Sequence, residues 1–354
     1  MPETWTPLCH NEGNAATGGI FRVERDAADG KPRSRIVKIA RPPRQPPPAN
    51  STAWQTSDAP DHFNYWRREI HAYETGFAYA AYHDAGIRAP RLDAVVAHEN
   101  GEIELWLEYV DGRTGFDLSA ERLGRFAYEL GAGQARWVGR VPAPVELPWL
   151  SRRWLAQYLS VGPGANVRVA DADWDDPVAA AAWPAPVRDA LRRLWESRTR
   201  TPAAVEALPH TLCHLDVWPA NLIEDTSGAS VLLDWSFVGE GSVGEDPANL
   251  IVDSVTDGLM DMALLPAVAE AVADGYIRGL EDGGWNGPAD GVRAAIAACA
   301  AAKYSWLGAQ AIATAVHGRR HRSSYNQDDS PVEALARLTP LAELLARWST
   351  DLLG

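Results

Sequence analysis

The chain has 354 residues, of which 46% are hydrophobic and 23% charged, and a formal net charge of −14. That length is more than one core usually holds, so two lobes are expected. The acidic balance argues against a general nucleic-acid binder, whose footprint would be basic; it suits a cationic small-molecule acceptor. Cys9, Cys213 and Cys299 are odd in number, widely spaced and free of any CxxC pattern, so a reduced chain without a disulfide framework is expected. The first residues show no basic and apolar leader, and the most apolar stretch, 292–316, contains Lys303 and Gln310. A cytoplasmic chain with no membrane span follows as the expectation.

In chain order, Gly18-Gly19 followed by Ile20, Phe21, Arg22 and Val23 predicts a glycine turn entering a strand. A turn at Asp29-Gly30-Lys31-Pro32 precedes a second strand, 35–40, with Lys38 in its middle. Residues 41–60 are proline-rich and read as an inserted loop. Phe63, Trp66, Ile70 and Tyr73 then repeat at helical spacing within 61–82, with Glu69 among them. Strands over 92–97 and 103–109 flank Asn100-Gly101, a strong hairpin signal. After a link at 110–113 the character becomes helical. Helices are predicted from Ser119 as cap, from Ser151, over 187–197, 264–280 and 290–316, and from Pro331 to Leu352, with a loop at 162–176.

The chemistry gathers in 211–235. Two apolar runs, 211–213 and 231–233, bracket a loop carrying His214, Asp216 and Asn221, and the second run ends in Asp234. A carboxylate such as Asp216 can accept a hydroxyl's hydrogen bond and then its proton. The oxygens of Asn221 and Asp234 suit Mg²⁺, which prefers hard ligands and keeps waters. No second His or Cys stands at zinc spacing from His214, so that residue is expected to bond backbone and shape the loop. Gly13-x4-Gly18 is followed by Gly19-Ile20 where a Walker A loop needs Lys-Ser/Thr, so a P-loop enzyme is ruled out. A glycine turn covering phosphates still fits Gly18 and Gly19. A strand lysine with a helix glutamate, Lys38 with Glu69, can hold phosphates. Most of the fifteen tryptophans read as packing, apart from Trp218, which lies beside Asp216. His317 and His321 make half a zinc pattern and read as a basic helix end.

His214-Leu215-Asp216-x4-Asn221, followed by Leu232-Leu233-Asp234-Trp235, resembles the aminoglycoside phosphotransferase and choline-kinase-like superfamily of small-molecule kinases. The resemblance implies an α+β, two-lobed, protein-kinase-like fold. A small N-terminal antiparallel sheet with a helix (1–112) would carry the nucleotide lid, the phosphate lysine and the hinge. A larger, mainly helical lobe (113–354) would carry the catalytic loop, the metal site and the acceptor site. It implies Asp216 as catalytic base, Asn221 and Asp234 as metal ligands, Lys38 and Glu69 as phosphate lysine and partner, and Glu108-Tyr109-Val110 as hinge. Asp246, in Asp246-Pro247, would support the metal site from behind. ATP or GTP would be the donor, Mg²⁺ the cofactor and a hydroxylated small molecule the acceptor, an antibiotic or else a metabolite such as choline. Neither nucleic acid nor membrane is an expected partner, and a monomer or homodimer is expected. Leu215, Ser236 and Asn249 depart from the pattern, as do the 237–244 link and the 41–60 insertion. An absent Ala-Pro-Glu segment sets the chain apart from protein kinases.

Overall fold

The computed structural model describes residues 3–26, 32–43, 54–161, 173–256, 258–318 and 330–353. Most of the 29–32 turn, the middle of the 41–60 insertion, most of the 162–176 loop and His321 lie outside the described residues.

The N-terminal lobe is a five-stranded antiparallel sheet in the order β1-β2-β3-β6-β5. Its strands are β1 (Glu3–Pro7), β2 (Thr17–Asp26), β3 (Pro32–Ala40), β5 (Leu92–Ala97) and β6 (Ile103–Glu108); β4 (Ile87–Arg88) stands apart from it. Alternate residues of β6 are buried, as a strand with one covered face requires. The expected hairpin forms at Asn100-Gly101, where Gly101 takes φ +84°. β1, unforeseen, pairs Trp5 with Val23 and makes the turn of residues 8–16 a connection between two strands.

The long helix expected over 61–82 is much shorter: α1 (Arg68–Glu74) and α2 (Phe77–Ala80), separated by Gly76 at φ +74°. Phe63 and Trp66 precede the helix as irregular core residues. The cause is Arg68, whose buried guanidinium donates to the carbonyls of Pro60, His62, Phe63, Trp149 and Ser236. Those carbonyls can satisfy a buried cation only if 60–67 folds as turns around it.

The second lobe is mainly helical. α3 (Ala120–Ala135) is capped by Ser119, whose Oγ accepts from Arg122 N at 3.2 Å. It lies against α9 (Leu265–Asp282) at very short range. A Cβ on Gly131 would come 2.3 Å from the Tyr276 carbonyl, and one on Gly275 2.0 Å from the Gly124 carbonyl. Close approach therefore explains glycines that weaken an isolated helix. Three short helices were not foreseen: α5 (Pro177–Ala182), α7 (Thr201–Glu206) and α8 (Glu245–Thr256). They accompany α4 (Trp154–Val161) and α6 (Ala185–Glu196). The expected 290–316 helix is two, α10 (Ala289–Lys303) and α11 (Leu307–His317), broken at Tyr304 to Trp306. The expected 331–352 helix is also two, α12 (Pro331–Arg337) and α13 (Thr339–Leu353). Pro340 cannot continue a helix from before it but is well placed in a first turn.

The motif stretch forms three strands rather than two. β8 (His210–Cys213) pairs with β11 (Gly239–Ser242), so part of the unusual 237–244 link is a strand. β9 (Leu222–Asp225) and β10 (Ser230–Leu232) form a hairpin joined by β7 (Gly112–Thr114) on one side and by β4, in parallel, on the other. β4 precedes residue 112 and its partners follow it, so the lobes share this sheet. Among the described residues no helix is long and apolar enough to cross a membrane.

Candidate active site

The loop after β8 is held by one carboxylate. Leu215 takes φ +68°, a left-handed conformation rare for leucine. Asp246, buried in the first turn of α8, accepts from His214 N through Oδ2 and from Leu215 N through Oδ1, both at 2.7 Å. Two adjacent N–H groups turned the same way form an anion nest, and those bonds to a charged acceptor offset the strain at Leu215. Gln134 of α3 adds a third donor at 2.7 Å. Burial still pushes Asp246 up to about 6. The backbone at Leu233 and Asp216 favours the protonated His214 ring, though neither ring nitrogen reaches strict hydrogen-bonding geometry among the described residues; the ring packs edge-on against Trp235, centroids 5.1 Å apart. Burial lowers its pKa to about 4, so it stays neutral.

Glu245, next to this clamp, is buried as well. Its Oε2 accepts from Ser242 N at 3.1 Å, while Oε1 meets no donor among the described residues. Burial raises it from 4.5 to about 7. An acid whose folded pKa is raised binds its proton more tightly in the folded state, so this group stabilises the fold as pH falls from 8 toward 5. Glu245→Gln should narrow the difference in urea stability between about pH 8 and pH 5.5 by about 1–3 kcal/mol. An unchanged difference would show that the group's folded pKa is not raised.

Lys38 projects from the middle of β3, between Ile20 of β2 and Leu105 of β6 in register. Its Nζ lies 2.6 Å from Glu69 Oε2 on α1 and 2.7 Å from Asp234 Oδ1. Burial alone would lower the lysine's pKa; the carboxylates of Asp234 and Glu69 outweigh it and hold the ammonium above its ordinary value. Asp234 is drawn below the usual carboxylate range, since Lys38 outweighs its burial. It sits at φ +56° and caps the turn after it, with Oδ1 accepting from Ser236 N. Ser236, which sequence comparison marked only as a departure, joins the cluster. Its Oγ donates to Asp234 Oδ1 at 2.5 Å and accepts from Lys38 Nζ at 3.1 Å.

Asp216 and Asn221 face each other across the loop. Asn221 Nδ2 donates to both Asp216 O and Asp216 Oδ2, each at 2.9 Å. Burial, and then the charge of Asp234, raise Asp216 to about 7 against the opposing charge of Lys303. The residues fit Mg²⁺. With Nδ2 committed to Asp216, Asn221 presents its carbonyl oxygen; with Oδ1 committed to Lys38 and Ser236, Asp234 keeps Oδ2. Among the described residues no three His, Cys, Asp or Glu gather in a metal-binding group. Two hard oxygens completed by phosphates and water suit Mg²⁺ rather than a metal needing a full protein cage.

These groups line one cleft of about 700 Å³ between the lobes. Glu108, Tyr109 and Val110 form one end of its wall, together with Ile20, Ile36 and Leu107. The Glu108 carboxylate is bound to Arg88 at 3.1 Å and to Arg91 N at 3.0 Å, so its charge is turned to the lobe itself. Arg22 lies 4.6 Å above the Tyr109 ring. Trp218 lines the cleft and meets Phe116 edge-on at 5.9 Å. Gly18 and Gly19 do not line it. They open β2, and the preceding turn, through Leu8 to Asn11 and Asn14, covers the cleft instead. Thr17 and Ile20, which flank Gly18-Gly19, line it too.

The far wall was missed in the sequence. Trp154 and Tyr158 of α4, Asp253 of α8, Lys303 at the end of α10, Tyr304 and Trp306 all face the cleft. Tyr304 OH donates to Asp253 Oδ2 at 2.7 Å, and Lys303 donates to Asn249. The only local signal was a lysine in an alanine-rich run. Trp54, at the end of the insertion, packs on Tyr158 and Phe237, each at 6.0 Å between centroids.

A model of the phosphotransferase enzyme family matches residues 22–289. No curated protein matches the chain in sequence. Among solved structures, the chain is similar to the amicoumacin kinase hAmiN in complex with AMP-PNP, Ca²⁺ and Ami, at 12% identity and TM-score 0.53, covering 98% of this chain and 87% of that one. It is similar also to the aminoglycoside phosphotransferase APH(3'')-Id from Streptomyces rimosus in complex with ADP and streptomycin, at 17% identity and TM-score 0.44, covering 84% and 92%. A Plasmodium vivax ethanolamine kinase aligns at 11% identity and TM-score 0.47, covering 95% and 81%.

Proposed function

This chain belongs to the phosphotransferase enzyme family, and from that premise we propose that it moves the γ-phosphate of ATP or GTP to a hydroxyl of a small molecule of antibiotic type. The observation that carries the reading is convergence. Lys38, Glu69 and the 211–235 stretch with Asp216, Asn221 and Asp234 are three separate places in the sequence, and their side chains meet in one cleft. All the groups that a nucleotide-binding regulator without turnover would have lost are in place. Phosphoryl transfer asks a protein for positioning and charge neutralisation more than for covalent chemistry.

In this reading residues 1–112 supply the lid, the phosphate lysine and the hinge, and residues 113–354 the rest. Lys38 is held by Glu69 at the place where phosphate oxygens would lie. Asn221 and Asp234 would hold Mg²⁺, which supplies charge neutralisation on the phosphates when bound. Asp216 stands beside Asn221 to take the acceptor hydroxyl's proton, while Asn221 fixes the orientation of that carboxylate. Asp246 holds the loop backbone from behind. The Lys38–Asp234 contact at 2.7 Å joins a cation and an anion that would otherwise face each other unscreened without a nucleotide. The aromatic far wall of the cleft suits an acceptor with carbon surface to bury, as an antibiotic-type molecule has.

The test is a nucleotide-consumption screen with ATP and GTP against hydroxylated antibiotics and metabolites, followed by mass spectrometry. Consumption that depends on Mg²⁺ and on one acceptor, with a phosphate added to it, is expected. Failure of the protein to bind either nucleotide in calorimetry would overturn the reading.

A further inference from the structure

We infer that the acceptor is a hydroxyl-bearing molecule with little or no positive charge, and that Lys303 is the residue that turns cations away. This rests on the phosphoryl-transfer reading and narrows its acceptor.

The charge of −14 suggested a cationic acceptor, but the acceptor side of the cleft does not carry it. Beyond Asp216, the charged side chains among the described residues there are Asp253, Lys303 and Arg337. Arg337 is engaged, with its Nη1 donating to the Val255 carbonyl at 3.3 Å, so Lys303 is the cation that faces the acceptor side. The Asp253 carboxylate already accepts from Tyr304 OH at 2.7 Å. The remaining carboxylates of the cleft are engaged elsewhere: Glu69 and Asp234 with Lys38, and Glu108 with Arg88. A molecule with several ammonium groups would have to bring them out of water toward Lys303, with like charges facing one another.

A single quaternary ammonium is excluded in another way. Such groups are recognised by aromatic faces within about 6 Å. The faces are present, but Lys303 occupies them. Its Nζ lies 4.8 Å from the Trp154 ring centroid, 5.6 Å from that of Tyr304 and 5.8 Å from that of Tyr158. The lysine is buried and also donates to Asn249, so it is fixed in this cage. What remains for an acceptor among the described residues is uncharged: Trp306, Leu307, Leu335 and Leu338 line the same side, with the neutral polar groups of Thr256, Gln310 and Thr314. A hydroxylated body of low charge could bury its carbon surface there and offer one hydroxyl to Asp216.

Calorimetry on the protein saturated with Mg²⁺ and a non-hydrolysable nucleotide tests this with three probes: erythronolide B (an uncharged hydroxylated macrolactone), kanamycin and choline. Erythronolide B should bind at least about tenfold more tightly than either cation. Lys303→Met should strengthen choline binding by about tenfold by opening the cage, with nucleotide affinity unchanged as proof of a folded site; Lys303→Arg should keep choline out. Any ranking of the wild type in which erythronolide B does not lead overturns the inference, as does a Lys303→Met variant that binds nucleotide normally and choline no better. Failure of the kinase reading would show separately, as no nucleotide binding at the outset.

Discussion

Asp216→Asn should lower kcat by about 10²–10⁴-fold, the range for removing a positioned general base, and leave nucleotide affinity within about twofold. The substitution is close to isosteric, and Asn221 Nδ2 can still donate to the new amide's oxygen, as it does to Asp216 Oδ2 at 2.9 Å. The loss is then chemical rather than structural. The base also sets the acid limb of the pH profile. Burial, with the charge of Asp234, raises Asp216 to about 7, so below that pH the carboxyl is increasingly protonated and cannot accept a proton. Wild-type kcat/KM should therefore fall as pH drops through about 7, and the residual activity of the Asn variant should lack that limb. Steady-state kinetics across pH would read both effects. Turnover near the wild-type value would remove Asp216 from the role.

The second large effect is on binding. Asp234→Ala should weaken Mg²⁺-nucleotide affinity by about 10²-fold or more, the loss expected when a charged group with bonds to cations is removed. In the proposed reading Asp234 has two functions in the cleft, and both end together. It keeps Oδ2 for the metal, and through Oδ1 it holds Lys38, whose Nζ is 2.7 Å away. The variant should retain a folded N-terminal lobe, because Glu69 still holds Lys38 at 2.6 Å. Calorimetry with and without Mg²⁺ separates the functions. Wild-type affinity should rise on adding the metal, whereas the variant should respond little. An affinity that matches the wild type in Mg²⁺ would contradict the ligand assignment.

These two residues were legible in the sequence because their pattern is local. His214, Asp216, Asn221 and Asp234 lie within one stretch bounded by apolar runs. Lys38 and Glu69 were legible through a different cue, a lysine inside an apolar strand and a glutamate on the following helix. β1 was missed because it is a short edge strand whose identity depends on pairing with β2, which no local pattern reveals. The shortened α1 depends on where the Arg68 guanidinium finds its carbonyls, some of them more than 80 residues away. The far wall is the hardest case. Lys303 sits in a helix that reads as ordinary amphipathic sequence, and the break after it brings Tyr304 to Asp253. Only the packing of α4, α8 and α10 makes an acceptor wall of these residues. The reaction was thus written in one segment, whereas the acceptor's chemistry is spread over three helices.

The most direct test of the account follows the phosphate itself. Nucleotide labelled in its γ-phosphate is incubated with Mg²⁺, an acceptor from the screen and either wild-type protein or the Asp216→Asn variant, and the products are separated by mass. The account predicts that the wild type places the label on an acceptor hydroxyl and that the variant does so only at a residual rate. Label released by the wild type only as inorganic phosphate, or transferred equally well by both proteins, would contradict it.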